Sequence, residues 1–187
     1  MTPPARPALV LIDIQQAFLD DAYWGPRNNP DAERNAARLL DAWRAAGLPV
    51  FHIQHQSVEP GSPLRPDRPG VAFQEVVAPL PGEPVLPKSV NSGFIGTELE
   101  NRLRADGIND VVICGLTTNH CVETTTRMAG NLGFETWLVG DACATHDRTG
   151  PDGRVWPAET IHAVSLASLH GEFATVVSTD DVLAWMR

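Results

Sequence analysis

A chain of 187 residues with 43% hydrophobic content is long enough to bury one substantial core and short for two, so one domain over 1–187 is expected. Its formal net charge of −9 argues against a sequence-independent grip on nucleic acid or an anionic membrane, both of which need a basic surface, and leaves a small molecule as the expected partner. No apolar run approaches the roughly 20 residues that span a bilayer, the opening MTPPARP lacks the apolar stretch of a signal peptide, and three cysteines without a C-x-x-C pair suit a reducing cytoplasm.

Residues 8–14, ALVLIDI, form a nearly continuous apolar run that ends on Asp13, the pattern of a central parallel strand covered on both faces. A carboxylate at the C-terminal end of such a strand stands where open α/β sheets place their sites, although a turn cap at a strand end is an equally ordinary use of it. Gln15, Gln16 and Phe18 continue into a loop with Tyr23 and Trp24. Pro30 to Ala46 carries Ala36, Leu39, Leu40 and Trp43 on one helical face, with Gly47 as its stop. Leu48 to Ile53 reads as the second strand and leads to His55. No carboxylate or cysteine accompanies His52 and His55 at ligand spacing, so no metal site and no cofactor are assigned.

Residues 57–84 are rich in proline and glycine and read as a long irregular excursion, with a short helix or strand expected near Val71 to Val77. The segment PVLPKSVNSGF then places Lys88 just beyond a short strand. Lys88 is the only lysine among fourteen basic residues, and a compact ammonium there has a use that a planar guanidinium cannot replace. Thr97 suits the cap of the next helix, which ends at Gly107.

The stretch 110–126, DVVICGLTTNHCVETTT, is a strand, a tight turn at Gly115 and a cysteine at the start of a helical segment. Cys114, inside the apolar run, fits a small core hydrophobe. Cys121 follows Thr117, Thr118, Asn119 and His120 instead, and the unpaired N–H groups of a helix start would favour its thiolate and cradle an oxyanion. A helix to about Leu132, a strand over Phe134 to Val139, a loop with Cys143 and His146, a helix after Trp156 and Pro157, a strand over Phe173 to Val177 and a terminal helix capped by Ser178 or Thr179 complete the chain. Strand and helix alternate about five times, which predicts a parallel sheet with helices on both faces. Neither G-x-G-x-x-G, nor a P-loop, nor a G-x-S-x-G elbow is present.

Three residues thus fall at strand ends, and the chain around them resembles the isochorismatase-like cysteine hydrolases, the superfamily of nicotinamidases and carbamoylsarcosine amidohydrolases. The first strand ends D-x-Q, as Asp13, Ile14 and Gln15, with Phe18 after it; Lys88 follows the third strand, with Ser92, Gly93 and Phe94 downstream; G-x-x-T-x-x-C-V is matched by Gly115, Thr118, Cys121 and Val122; and Asp141 and Ala142 follow the fifth strand.

The resemblance implies a three-layer, doubly wound α/β fold with a six-stranded parallel sheet, and a homo-oligomer, dimer or tetramer. It implies a triad of Asp13, Lys88 and Cys121, a cis peptide between Leu116 and Thr117, and an oxyanion hole from the N–H groups of Thr117 and Cys121. Phe18, Trp24, His55, Phe94, His120 and Trp156 are the candidate pocket walls. The nicotinamidase branch holds a metal through an aspartate and histidines near the region of Val50 to Ser57, but this chain has only the histidines there. The expected activity is therefore metal-free hydrolysis of a C–N bond in a small amide, ureido compound or cyclic amide. Two alternatives are vinyl ether hydrolysis with Asp13 as acid, and a non-catalytic thiol or ligand-binding module.

Overall fold

The computed structural model describes residues 4–186. Strand β1 (Ala8–Ile12) is buried at every position, as its unbroken apolar sequence requires. A short turn over Gln16–Leu19 leads to α1 (Asp21–Trp24), where the sequence predicts only loop; Asp20 caps it by accepting from the Ala22 and Tyr23 amides. Helix α2 (Ala32–Ala46) buries Ala36, Leu39, Leu40 and Trp43 and stops at Gly47, whose φ of 63° is open to glycine without a side-chain clash. Then come β2 (Val50–His55) and β3 (Val85–Lys88), separated by the 57–84 excursion, which holds two 3₁₀ turns, Pro69–Val71 and Glu75–Val77.

The second half continues with α3 (Leu99–Ala105), β4 (Asp110–Leu116), α4 (Glu123–Asn131) and β5 (Glu135–Ala144). A small hairpin of β6 (Arg148–Thr149) and β7 (Val155–Trp156) precedes α5 (Ala158–Leu169), β8 (Thr175–Val177) and α6 (Thr179–Leu183). Ser178 starts α6 with a reciprocal capping box to Asp181. Strand β5 runs past the expected stop at Val139 because its far end pairs with the end of β4, Cys143 opposite Gly115 and Ala144 opposite Leu116, while Asp141 Oδ1 accepts from both the Thr179 amide and hydroxyl at 2.8 Å.

The six-stranded sheet has the order β3-β2-β1-β4-β5-β8 and every pairing in it is parallel. Helices α2 and α6 pack together against the sheet, and α4 packs against α5. From β1 the chain moves outward through β2 to β3, then returns to lay β4 along the other side of β1. The direction of winding therefore reverses between β1 and β4, and a crevice opens at their C-terminal ends. Asp13 lies directly after β1, and the turn bearing Cys121 directly after β4. Among the described residues no helix is long and apolar enough to cross a membrane.

Candidate active site

Asp13 has a φ of 51°, a left-handed backbone that aspartate tolerates better than most residues. Its amide donates to the Ile53 carbonyl at 3.1 Å, so the bend is held by the neighbouring strand. Lys88, the last residue of β3, reaches over β2 and places Nζ 2.6 Å from Asp13 Oδ2, with both side chains fully removed from solvent. Asp13 Oδ1 is buried as well and has no hydrogen-bond partner. The carboxylate thus has one oxygen held and one free.

Cys121 is carried by a π-helical turn, Thr118–Val122, rather than by the first turn of α4. The Val122 amide donates to the Thr117 carbonyl at 3.3 Å, the wide ring that defines such a turn and a feature often found at functional sites. Two hydroxyl contacts brace it: Thr118 Oγ1 is 2.8 Å from His162 Nδ1, and Thr145 Oγ1 donates to Asn119 Oδ1. The Leu116–Thr117 peptide is cis. Cys121 Sγ, the Asp13 carboxylate and a ring nitrogen of His55 lie within 4.8 Å of one another. The thiol donates to Asn91 Oδ1 at 3.9 Å.

The surroundings of Cys121 oppose the thiolate that a helix start would favour. Burial, followed by the negative charge of Asp13, pushes the thiol well above its usual range, and the Lys88 ammonium only partly opposes this. This direction favours the neutral thiol over the thiolate.

A cavity of about 230 Å³ opens over these groups, lined by Asp13, Phe18, Trp24, His55, Leu64, Asn91, Thr117, His120 and Cys121. Four of the six expected wall residues, Phe18, Trp24, His55 and His120, are among them. Phe18 stacks on Trp24 with ring centroids 4.9 Å apart, and the Trp24 indole donates to the Ala17 carbonyl at 2.8 Å. His120 sits between Thr117 Oγ1 at 3.3 Å and Arg148 Nη2 at 3.4 Å; burial, then Arg148, lowers its pKa. Phe94 and Trp156 do not line the cavity. Phe94 stacks on Phe134 at 5.7 Å against the main core, and Trp156 lies under the Arg154 guanidinium at 4.0 Å in the hairpin. Asn91 and Leu64 were not anticipated: Asn91 lies three residues past Lys88 in an exposed loop, and Leu64 is delivered by the excursion.

Asp13, His55 and Cys121 lie close enough together to share an ion, but the nearby Lys88 charge opposes a cation there. His52 turns to the other side, where its Nε2 meets Glu83 Oε2 at 2.9 Å. His55 Nδ1 and Asp13 Oδ2 both face the Lys88 ammonium, at 3.0 and 2.6 Å, so a positive charge already stands where a cation would bind.

A doubly wound α/β sheet with a buried Asp–Lys pair and a cysteine turn at its switch point defines a hydrolase-type site. The chain belongs to the isochorismatase family: the family model described as an isochorismatase domain matches residues 7–181. It is 48% identical over 178 residues to the Bacillus subtilis (strain 168) isochorismatase family protein YrdC, itself uncharacterised, with 95% of each chain covered. A Chromobacterium violaceum ATCC 12472 crystal structure assigned to hydrolases of this family matches with a TM-score of 0.92 and 52% identity, covering 100% of this chain and 98% of that one. The ureidoacrylate amidohydrolase RutB of Agrobacterium fabrum is 32% identical over 196 residues, covering 81% of this chain and 85% of that one.

Proposed function

We propose that this chain is a cysteine-dependent, metal-independent amidohydrolase that cleaves a C–N bond of a small carboxamide, ureido compound or cyclic amide through a thioester. The observation that carries this reading is the divided Asp13 carboxylate: Oδ2 is held by Lys88, Oδ1 is buried without a partner, and the carboxylate lies within 4.8 Å of the Cys121 thiol. A free carboxylate oxygen in a dry site next to a neutral thiol is a general base waiting for its proton. That a ureidoacrylate amidohydrolase is among the relatives supports amide chemistry.

In the first step Cys121 Sγ bonds to the substrate carbonyl carbon as its proton passes to Asp13 Oδ1. The carbonyl oxygen takes the negative charge and is held by the Thr117 and Cys121 N–H groups. Collapse of this adduct breaks the C–N bond, and Asp13 returns the proton to the departing nitrogen. Water then attacks the thioester, Asp13 takes its proton, and the sulfur leaves to be reprotonated. Lys88 holds and orients Asp13 through its 2.6 Å contact with Oδ2. The cavity of about 230 Å³ is smaller than the ~300–1,000 Å³ typical of drug-sized ligands, which favours a small substrate.

The test is release of ammonia or amine from a panel of small amides, ureides and lactams, with chelator present, by wild type and Cys121→Ala. Turnover that survives chelation and disappears in the variant is the expected result. Turnover unaffected by the substitution would remove the cysteine mechanism, and activity on a vinyl ether alone would replace it by acid catalysis from Asp13.

A further inference from the structure

We infer that Lys88 locks His55 in its Nε2–H tautomer, so that the cavity carries a fixed neutral hydrogen-bond donor beside Cys121 that selects substrates with an acceptor oxygen near the scissile carbonyl. The selectivity part rests on the amidohydrolase reading above. The tautomer part stands on geometry alone.

His55 is the last residue of β2 and pairs in register with Lys88 at the end of β3. Its Nδ1 lies 3.0 Å from Lys88 Nζ. An ammonium has only donors, so Nδ1 must accept, and a neutral imidazole that accepts through Nδ1 carries its proton on Nε2. The same ammonium binds Asp13 Oδ2, which fixes Nζ from the opposite side.

The backbone that carries the ring is fixed. Gln15, fully buried, grips the His55 backbone at both ends: Oε1 accepts from the His55 amide at 2.9 Å, and Nε2 donates to the His55 carbonyl at 3.0 Å. Gln15 is held in turn by the Val71 carbonyl at 2.8 Å, so the excursion buttresses this strand end. Among the described residues nothing bonds to His55 Nε2, and it is not one of the sealed, unpartnered polar atoms. It therefore faces the cavity that His55 lines. Burial and the adjacent Lys88 charge both lower the pKa of this ring, with Asp13 opposing, which keeps the donor neutral.

Such a donor contributes binding only where the substrate supplies an oxygen, as a ureido or carboxyl group or a second ring carbonyl does and a simple alkyl amide does not. A merely packed histidine would show no such preference.

The decisive measurement is ¹⁵N NMR of the wild-type chain with labelled histidine. His55 Nδ1 is expected unprotonated and Nε2 protonated near neutral pH; a protonated Nδ1 overturns the lock whether or not any amide is ever turned over. Kinetics then separate donation from scaffolding. His55→Gln puts an amide N–H near the position of Nε2, whereas His55→Asn keeps an acceptor for Lys88 without the reach. The Gln variant is expected within about tenfold of wild-type kcat/KM on ureido acids, and the Asn variant about 100-fold below it, with little difference between them on simple alkyl amides. An Asn variant equal to wild type, with cysteine-dependent turnover intact, overturns the donor role and leaves the amidohydrolase reading standing. Absence of all turnover fails that reading while the NMR result still decides the tautomer.

Discussion

Lys88 Nζ and Asp13 Oδ2 are 2.6 Å apart, and neither side chain retains any exposed surface. Removing one partner of a buried pair strands the other charge, which costs about 3–5 kcal/mol, whereas removing both leaves nothing to neutralise. Lys88→Met is therefore expected to lower stability by about that amount, and Asp13→Asn with Lys88→Met to recover most of it. Urea unfolding of the two variants checks this. A Lys88→Met midpoint equal to wild type would mean that Asp13 is neutral in the folded protein and cannot serve as the base.

Alkylation reports the state of Cys121. Burial and Asp13 raise its pKa, so the rate with iodoacetamide should be low near neutral pH and still climbing above the usual thiol pKa of about 8.5. Asp13→Asn should accelerate the reaction, because it removes a negative neighbour and frees the ammonium, while abolishing turnover. Lys88→Met should slow it. Cys121→Ala should take up no label in the folded protein, since Cys114 and Cys143 are fully buried and burial pushes Cys143 to about 12. A wild-type rate that levels off below about pH 8 would show a standing thiolate instead.

The meeting of Asp13, Lys88 and Cys121 was legible because each breaks a local pattern: Asp13 ends an apolar run, Lys88 is the sole lysine, and Cys121 stands among polar residues. The parallel sheet was legible from the alternation of strand and helix. Loop contributions were not, since Asn91 and Leu64 reach the cavity through chain path rather than periodicity. Phe94 and Trp156 misled because an aromatic ring packs as readily on Phe134 or under Arg154 as on a ligand. The β6–β7 hairpin pairs only two residues per strand, too few for an alternating signal. The π-helical turn changes the ring size of one hydrogen bond, and no residue type announces that.

Acid should weaken the fold through His146. This ring is buried, neither nitrogen has a partner, and it stacks on Trp24 at 5.7 Å. Burial first, then Arg27, lowers its pKa from 6.5 to about 4. The folded state thus holds the ring neutral below the pH at which the unfolded chain protonates. Its contribution is complete above about 6.5 and is lost as pH falls toward about 4, on the order of 3 kcal/mol. Glu83, held chiefly by Arg44, adds a second loss between its ordinary 4.5 and about 2. Urea midpoints measured down this range should fall in that order. His146→Phe, which keeps the stacking without the proton, should flatten the upper part alone; an unchanged slope would assign the acid sensitivity elsewhere.

Gly115 lies opposite Ile12 at the end of the β1–β4 pairing with no room for a side chain, and its replacement is the most demanding test of how the site is assembled. Its φ is 134°, and a Cβ added there would stand 2.1 Å from the Ile12 carbonyl oxygen, its register partner. Neither backbone can yield without moving Asp13 on one side or the Cys121 turn on the other. Gly115→Ala should cost on the order of 3 kcal/mol or more, combining an unfavourable backbone region with a backbone clash. Gly107→Ala is the control: its φ of 65° is also left-handed, but nothing lies within 4 Å of the added carbon, so only the ~1–2 kcal/mol conformational cost applies. Paired urea titrations separate the two effects, and Cys121 alkylation in the Gly115→Ala chain reads the geometry directly. Equal losses in the two variants would show that the strands part freely, and the close approach of β1 and β4 would then not be what sets the distance from Asp13 to Cys121.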